Sequence, residues 1–452
     1  MGLEGADRSL LTATAGQLRI SATLEINELV RKELANGHKV VHLGFGEATF
    51  PLPEEVVDAH RTASHMTSYL PVAGLMRLRE SIARFQSRRL NCLINPEQVV
   101  VAPGSKPLLF ALFDILDGDV LLPRPSWVSY EPQVTHARKR LFWIETDEHD
   151  RHTISNSALS SAFDQATSEG ANSRIMLINS PSNPTGQAYS DADLERISRF
   201  CRNHDITLIS DEIYSDICFS EEKGISAGYG SRFKLGKMIL TGGLSKTYSA
   251  GGWRVGFAIF PATKFGETVQ QAVLAYASEC WSAASAPAQV AAAIAFEPSV
   301  TQDRYRENVA SLHEVCTMRL FHALRDCGLA VAEPKGAFYL YPSFHPYEKQ
   351  LIGLGIHDSL NLSRWLLQEC GIAALPGSAF GENDTGSVGG RYRLRMATSG
   401  LYFKEELDRY EGGYDLLAST REINTRISLP LLDEAIVALM DAVAKLKSSA
   451  QQ

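Results

Sequence analysis

The chain has 452 residues, 44% of them apolar and 21% charged, with a formal net charge of −8. That length exceeds one ordinary hydrophobic core, so two domains are expected, and the acidic balance offers nucleic acid or anionic lipid no global attraction. The seven cysteines, Cys92, Cys201, Cys218, Cys280, Cys316, Cys327 and Cys370, are scattered, odd in number and without a CxxC pair, which argues for a reducing compartment rather than a disulfide framework or a zinc site.

The first thirty residues carry Asp7, Arg8, Arg19, Glu25 and Glu28 without a continuous apolar run, and Ala6 stands where a myristoylation signal needs Ser or Thr. Neither a signal peptide nor an anchor is expected, and the location expected is cytosolic. Short apolar runs then predict strands at Val99 to Ala102, Val120 to Leu122, Arg174 to Ile178, Thr207 to Ser210, Lys237 to Leu240 and Val255 to Phe260. Between them lie helical stretches such as Lys106 to Leu116 and Asp191 to His204, the second opening on Ser190 as N-cap. This alternation is the pattern of a parallel sheet covered by helices, in which ligands sit at the carboxyl ends of the strands. The Ala-rich stretch Gln271 to Phe296 is interrupted by Glu279, Pro287 and Gln289, so it reads as a buried helix and its neighbour rather than a membrane span. From about Thr301 the pattern changes to a long helix, strands at Phe338 to Tyr341 and Tyr392 to Met396, and a last helix from Leu431 to Leu446, which predicts a second, mixed domain.

The residues after the strands carry the chemistry. Lys246, in TGGLSKTYSAGGWRVGF, follows the strand ending at Leu240 among glycines that allow close backbone approach. Alone it reads as a solvated lysine or a cofactor-binding one; Arg254, eight residues on, adds a guanidinium suited to phosphate. Asp211, in LISDEIY, is either a helix N-cap or a carboxylate that keeps a pyridine nitrogen protonated, with Tyr214 placed to donate to the phenolate of the same ring. Asn183, in NSPSNPTG, is a turn residue or a donor to that phenolate. Gly104 and Ser105, in PGSKPLLFAL, open a helix whose N–H groups and dipole favour a phosphate. Trp127, in PRPSWVSY, is a core residue or a face for ring stacking.

These segments resemble those of the class I and II aminotransferases, pyridoxal-phosphate enzymes of fold type I, in order and spacing from about Val41 to Leu446. SKTYSAGGWRVGF carries the likeness best, then SPSNPTG with SDEIY; LGFGEATFPLP, PKGAFYLYP and LPGSAFG support it. The resemblance implies an α/β fold whose large domain has a mainly parallel seven-stranded sheet between helices, beside a smaller α+β domain. Residues 1–48 would form an N-terminal arm and part of the small domain, 49–300 the large cofactor-binding domain and 301–452 the C-terminal small domain. It further implies that Lys246 carries pyridoxal 5'-phosphate as a Schiff base and, once released, moves the substrate Cα proton, while Asp211 pairs with the ring nitrogen and Asn183 and Tyr214 contact the phenolate. Ser105, Lys106, Ser245 and Arg254 would surround the phosphate, with Gly104 behind them, and Trp127 would stack on the ring. Tyr69, in SYLPVAGLMRLR, would reach the phosphate of a second copy in a homodimer, and Gly46 and Arg393 would take the substrate α-carboxylate. Arg391 and Arg395 share a strand face with Arg393, so motif spacing alone chooses among the three.

The sequence departs from the family at three places. Ala48 and Thr49 replace the usual Pro-Asp that lines the substrate entrance, Gly243 stands where many relatives have a phosphate-binding serine, and Leu401 to Ser428 is longer than a typical connection, either a surface ornament or a lid. The resemblance implies amino transfer between an amino acid and a keto acid, and these departures point to a specialised biosynthetic pathway. The alternative is a lyase, cyclase or oxidase of the same fold, since fold does not settle reaction. A ligand-sensing domain of a transcription regulator is the third reading; it is disfavoured because fewer than fifty residues precede LGFGEATF and they contain no basic helix pair.

Overall fold

The structure, a computed structural model, describes residues 10–12, 15–16, 22–147, 149, 151–219, 226–384, 392–420 and 427–448. Its centre is a seven-stranded sheet built from β2 (Val99–Ala102), β3 (Asp119–Arg124), β4 (Leu141–Glu145), β5 (Ser173–Asn179), β6 (Thr207–Asp211), β7 (Met238–Gly243) and β8 (Gly256–Ile259), following a two-residue β1 (Val41–His42). The order across the sheet is β2-β8-β7-β6-β5-β3-β4. All neighbours are parallel except β8, which runs antiparallel to both β2 and β7.

The strands read as continuous apolar runs because both faces of the sheet are covered. On β5, Met176 and Ile178 enter one apolar cluster while Ile175 and Leu177 enter another on the opposite face. That division follows from the two-residue side-chain period of a strand. The helix Asp191–Asn203 begins as expected at Ser190, whose side chain accepts from Asp193 N while the Asp193 carboxylate accepts from Ser190 N. Gln271 to Phe296 divides between the helices Lys264–Cys280 and Ala286–Ala295. No helix among the described residues is long and apolar enough to cross a membrane.

One strand of the sheet was not expected. β4 lies at the edge, where its residues are alternately buried and half-exposed, and Trp143 sits beneath the Arg124 guanidinium at 4.7 Å. A half-covered strand of this kind lacks the unbroken apolar run that marks its neighbours.

After the helix Val300–Asp326, a three-stranded antiparallel sheet forms from β9 (Tyr339–Leu340), β11 (Leu375–Pro376) and β12 (Leu394–Ala397), in the order β11-β12-β9. β10 (Ile372–Ala373) pairs in parallel with β1, so the segment entering LGFGEATF is tied to the C-terminal part of the chain. Within Leu401 to Ser428 the chain folds as a helix, Glu406–Ser419, and residues 421–426 lie outside the described ones.

Gly256 on β8 shows how closely the sheet approaches the turn before the helix Ser105–Ile115. A Cβ there would collide with the backbone of Gly104 and Ser105. Backbone cannot swing aside as a flexible side chain can, so Gly256→Ala is expected to cost about 1–3 kcal/mol of overpacking strain, measured by urea unfolding. An unchanged unfolding midpoint would contradict the close approach.

Candidate active site

Four parallel strands end around one cavity of about 610 Å³. β5 delivers Asn179 and, beyond it, Asn183; β6 ends on Asp211; β3 leads to Trp127 and Tyr130; β7 leads into Ser245 and Lys246. Of the expected residues, Gly46, Ser105, Lys106, Trp127, Asn183, Asp211, Tyr214, Ser245, Lys246 and Arg254 line this cavity.

Lys246 is held by the antiparallel return of β8. Leu244 N donates to Val255 O at 3.1 Å, which closes the loop and turns Lys246 inward. The same pairing accounts for Gly243: a Cβ would stand 2.7 Å from Val255 O and 3.0 Å from Gly256 Cα, leaving no room for a serine. The Lys246 amine donates to Gly46 O at 2.7 Å. Burial pushes its pKa down to about 8; nearby Glu47 opposes the fall, and Arg395, Lys106 and Arg254 add to it.

Asp211 is buried, with Oδ2 accepting from the Tyr130 hydroxyl at 2.8 Å and Oδ1 from the Thr241 hydroxyl at 3.2 Å. Burial raises its pKa to about 6, against the pull of these hydrogen bonds. Asn179 Nδ2 donates to Asp211 O at 2.8 Å, and Asn179 Oδ1 accepts from Asn183 N at 2.8 Å, so one amide sets the relation between two site residues. The Tyr214 and Tyr339 hydroxyls lie 2.8 Å apart. Burial, then Tyr339, raises the Tyr214 pKa well above that of an ordinary phenol, so it remains a hydrogen-bond donor.

At the opposite end, Gly104 adopts φ +93°, and a Cβ on it would run into the Arg254 guanidinium. The first N–H groups of the helix Ser105–Ile115, Arg254 and the Lys106 amine thereby share one concave corner. Lys106 lies 4.9 Å from the Trp127 ring centroid, and burial, then Arg254, lowers its pKa. A cluster of like charges around backbone N–H donors is a site for an anion. Asp211, Trp127, Asn183 and Tyr214 stand further along the same cavity, so the donor set fits a flat heteroaromatic ring carrying a phosphate.

Arg393 stands apart from the cavity. Its guanidinium pairs with Glu382 at 3.0 Å, both side chains being buried, and it does not line the cavity. Arg395, one strand repeat on and on the same face, does. Arg395 Nη1 faces Asn183 Oδ1 at 3.4 Å, Nη2 donates to Gly44 O, and Nε is buried without a hydrogen-bond partner. Among the described residues it has no ion pair. A buried guanidinium without a carboxylate is costly, so the charge available for an anionic ligand is that of Arg395, whereas Glu382 already balances Arg393. Arg391 lies outside the described residues.

Other expectations fall away from the cavity. Ala48 is buried against Tyr214 and Tyr339, the Thr49 hydroxyl donates to Ser399 O, and neither lines the cavity. Tyr69 is 94% exposed and also outside the cavity. Tyr130, Thr241, Tyr339 and Glu47 went unnoticed in the sequence. Tyr130 and Tyr339 stand in the quoted PRPSWVSY and PKGAFYLYP, but only tertiary contact brings their hydroxyls to the site.

The sequence profile of the class I and II aminotransferases matches residues 38–401. Aspartate aminotransferase of Bacillus subtilis (strain 168) is 32% identical over 405 residues, covering 88% of this chain and 97% of the relative. The probable aspartate/prephenate aminotransferase of Aquifex aeolicus (strain VF5) is 30% identical, over 83% of this chain and 92% of that protein. The structure of aspartate aminotransferase from Thermus thermophilus with maleate superposes with a TM-score of 0.76 at 27% identity, covering 90% of this chain and 99% of that one. The chain belongs to the class I and II aminotransferase family, and the enzyme is an aminotransferase of fold type I.

The buried Asp211 carboxyl has a consequence for stability. Its pKa rises from 3.8 to about 6 on folding. The folded state therefore holds this proton more tightly, and the contribution of Asp211 to stability falls as pH rises through that window and is flat above it. In the cofactor-free chain Asp211→Asn should accordingly gain about 2–3 kcal/mol at pH 7, a gain that shrinks toward pH 4. Urea unfolding at the two pH values checks this, and an Asp211→Asn chain less stable than the parent at pH 7 would contradict it.

Proposed function

We propose that the chain transfers the amino group of an L-amino acid to a 2-oxo acid, using pyridoxal 5'-phosphate held in the 610 Å³ cavity. The observation that carries the reading is the pairing, in one cavity, of a half-buried amine lowered to about 8 with a buried carboxyl aligned by two hydroxyls. When bound, this cofactor supplies an aldehyde that takes the amino group and a pyridine ring that accepts the electron pair left at Cα.

The Gly104 turn, Ser105, Lys106, Ser245 and Arg254 would hold the phosphate, Trp127 would offer a face to the ring, Asp211 would pair with the ring nitrogen, and Asn183 and Tyr214 would donate to the phenolate. Arg395 receives the substrate α-carboxylate, with Gly46 beside it, which fixes the bond at Cα that is broken. A lysine with a pKa near 8 has a far larger neutral fraction at neutral pH than an ordinary lysine, so Lys246 would be the amine that joins the aldehyde and, once released, the base that carries the Cα proton. Asp211, held by Tyr130 and Thr241, keeps its oxygens oriented while the proton moves.

Tyr69, exposed on the loop before the helix Met76–Leu90, suits a contact with a second copy, and we extend the reading to a homodimer in which it reaches the partner's phosphate site. The names of the relatives make L-aspartate the first amino donor to test, and the maleate of the Thermus structure is likewise a dicarboxylate. The features that suggested a specialised biosynthetic role lie outside the cavity, so the proposal rests on amino transfer itself. Nothing in the cavity favours a lyase, cyclase or oxidase over it.

The assay is transfer from L-aspartate and a panel of other amino acids to 2-oxoglutarate, with product keto acids identified by mass. Amino transfer supports the reading; ammonia release, a cyclised product or oxygen uptake in its place overturns it. Within that assay Arg395→Gln should lower kcat/KM by about 100-fold, the worth of a two-pronged charged contact. Arg393→Gln should lower it far less, and the reverse order would return the carboxylate to Arg393.

A further inference from the structure

The helix Glu406–Ser419 lies neither over the cavity nor loose on the surface. Arg409 Nη2 donates to Phe50 O at 2.9 Å and reaches Ser249 O at 3.5 Å. Tyr414, on the same helix, donates to Leu52 O at 2.6 Å. Phe50 and Ser249 belong to the two segments that build the lysine contact. Phe50 follows Gly46, whose carbonyl receives the Lys246 amine, and Ser249 follows Lys246.

The two segments form a closed ring. Phe50 N donates to Ser249 Oγ at 3.0 Å, Ser249 N donates to Lys246 O at 3.3 Å, and the Lys246 amine returns to Gly46 O. Ser249 sits at φ +51°, in the left-handed region that a serine occupies only when its surroundings hold it there. Its N–H, hydroxyl and carbonyl are each engaged, and the carbonyl is the one that Arg409 takes. The guanidinium thus stands where the strained residue meets the segment that presents Gly46. Phe50 itself is buried against His313 and Tyr402, so slack in the ring passes toward Gly46 and Lys246 rather than into the core.

We propose that Arg409 is a positioning residue for Lys246, clasping the Gly46–Phe50 segment to the Lys246–Ser249 turn through one guanidinium nitrogen. The proposal rests on the reading of Lys246 given above. It assigns the long segment before the last helix a task in the reaction: keeping the amine at a fixed distance from the carbonyl that orders it. Arg409 touches neither substrate nor cofactor, so its loss should act on kcat more than on KM. It should also alter the reactivity of the amine itself, since a loosened ring admits water and returns Lys246 toward ordinary lysine behaviour.

The test follows capture of pyridoxal 5'-phosphate on Lys246 against pH, by borohydride reduction and peptide mass, together with steady-state kinetics of the holoenzyme. Arg409→Met, which keeps the aliphatic stem, should lower kcat about tenfold with KM little changed, as expected for a misplaced reacting group. It should also move the capture midpoint to higher pH. Arg409→Lys should restore most of both. Ser249→Ala removes the other link and should move the midpoint the same way, so the test survives if Arg409→Met does not fold. Tyr414→Phe, which loosens the same helix without touching the ring, should leave the midpoint in place. A wild-type midpoint and kcat in Arg409→Met, or an equal shift in Tyr414→Phe, overturns the proposal. No capture on Lys246 in the wild-type chain overturns the functional reading instead.

Discussion

The site depends on burial of two opposite ionisable groups that do not neutralise each other. Asp211 is buried and Lys246 half-buried, yet the amine rests on the Gly46 carbonyl and the carboxylate on the hydroxyls of Tyr130 and Thr241. Desolvation moves each toward its neutral form, down to about 8 for the lysine and up to about 6 for the aspartic acid. A direct ion pair would have quenched both. Keeping them apart in one cavity leaves an amine able to act as nucleophile and base and a carboxylate able to hold a ring cation.

The sheet supplies that separation. Asp211 is the last residue of β6, whereas Lys246 lies in the loop between β7 and its antiparallel neighbour β8, so the register of three adjacent strands sets the distance between the two groups. The tight packing of Gly243 and Gly256 against Val255, Gly104 and Ser105 fixes the loop and the anion corner to one rigid body. A further positive charge of the cavity comes from the second sheet, where Arg395 carries its guanidinium to Asn183 across the gap between sheets. A buried cation with no carboxylate of its own is an electrostatic debt that an incoming carboxylate can settle.

Much of this was legible in the sequence, and the reasons differ by residue. The inner strands announce themselves because burial on both faces demands unbroken apolar runs, and Ser190 announces a helix because its side chain satisfies an exposed N–H. Lys246, Asp211, Asn183 and Arg254 stand in runs whose order and spacing resemble those of one family. β4 was missed because an edge strand is only half covered. Arg393 and Arg395 could not be told apart because they share a face, and only the position of Glu382, which the sequence does not give, reveals which charge is already balanced. Tyr130 and Arg409 could not be singled out at all, since each acts through contacts between segments far apart in sequence. Leu401 to Ser428 was expected to be an ornament or a lid; its helix Glu406–Ser419 is docked on Phe50 and Leu52 through Arg409 and Tyr414.

The most direct test of the central claim is a crystal structure of the chain grown with pyridoxal 5'-phosphate. The account predicts continuous density from the Lys246 side-chain nitrogen to the cofactor, with the pyridine nitrogen against Asp211 and the phosphate at Gly104 and Arg254. A cofactor bound elsewhere, or a ring nitrogen turned away from Asp211, would contradict it.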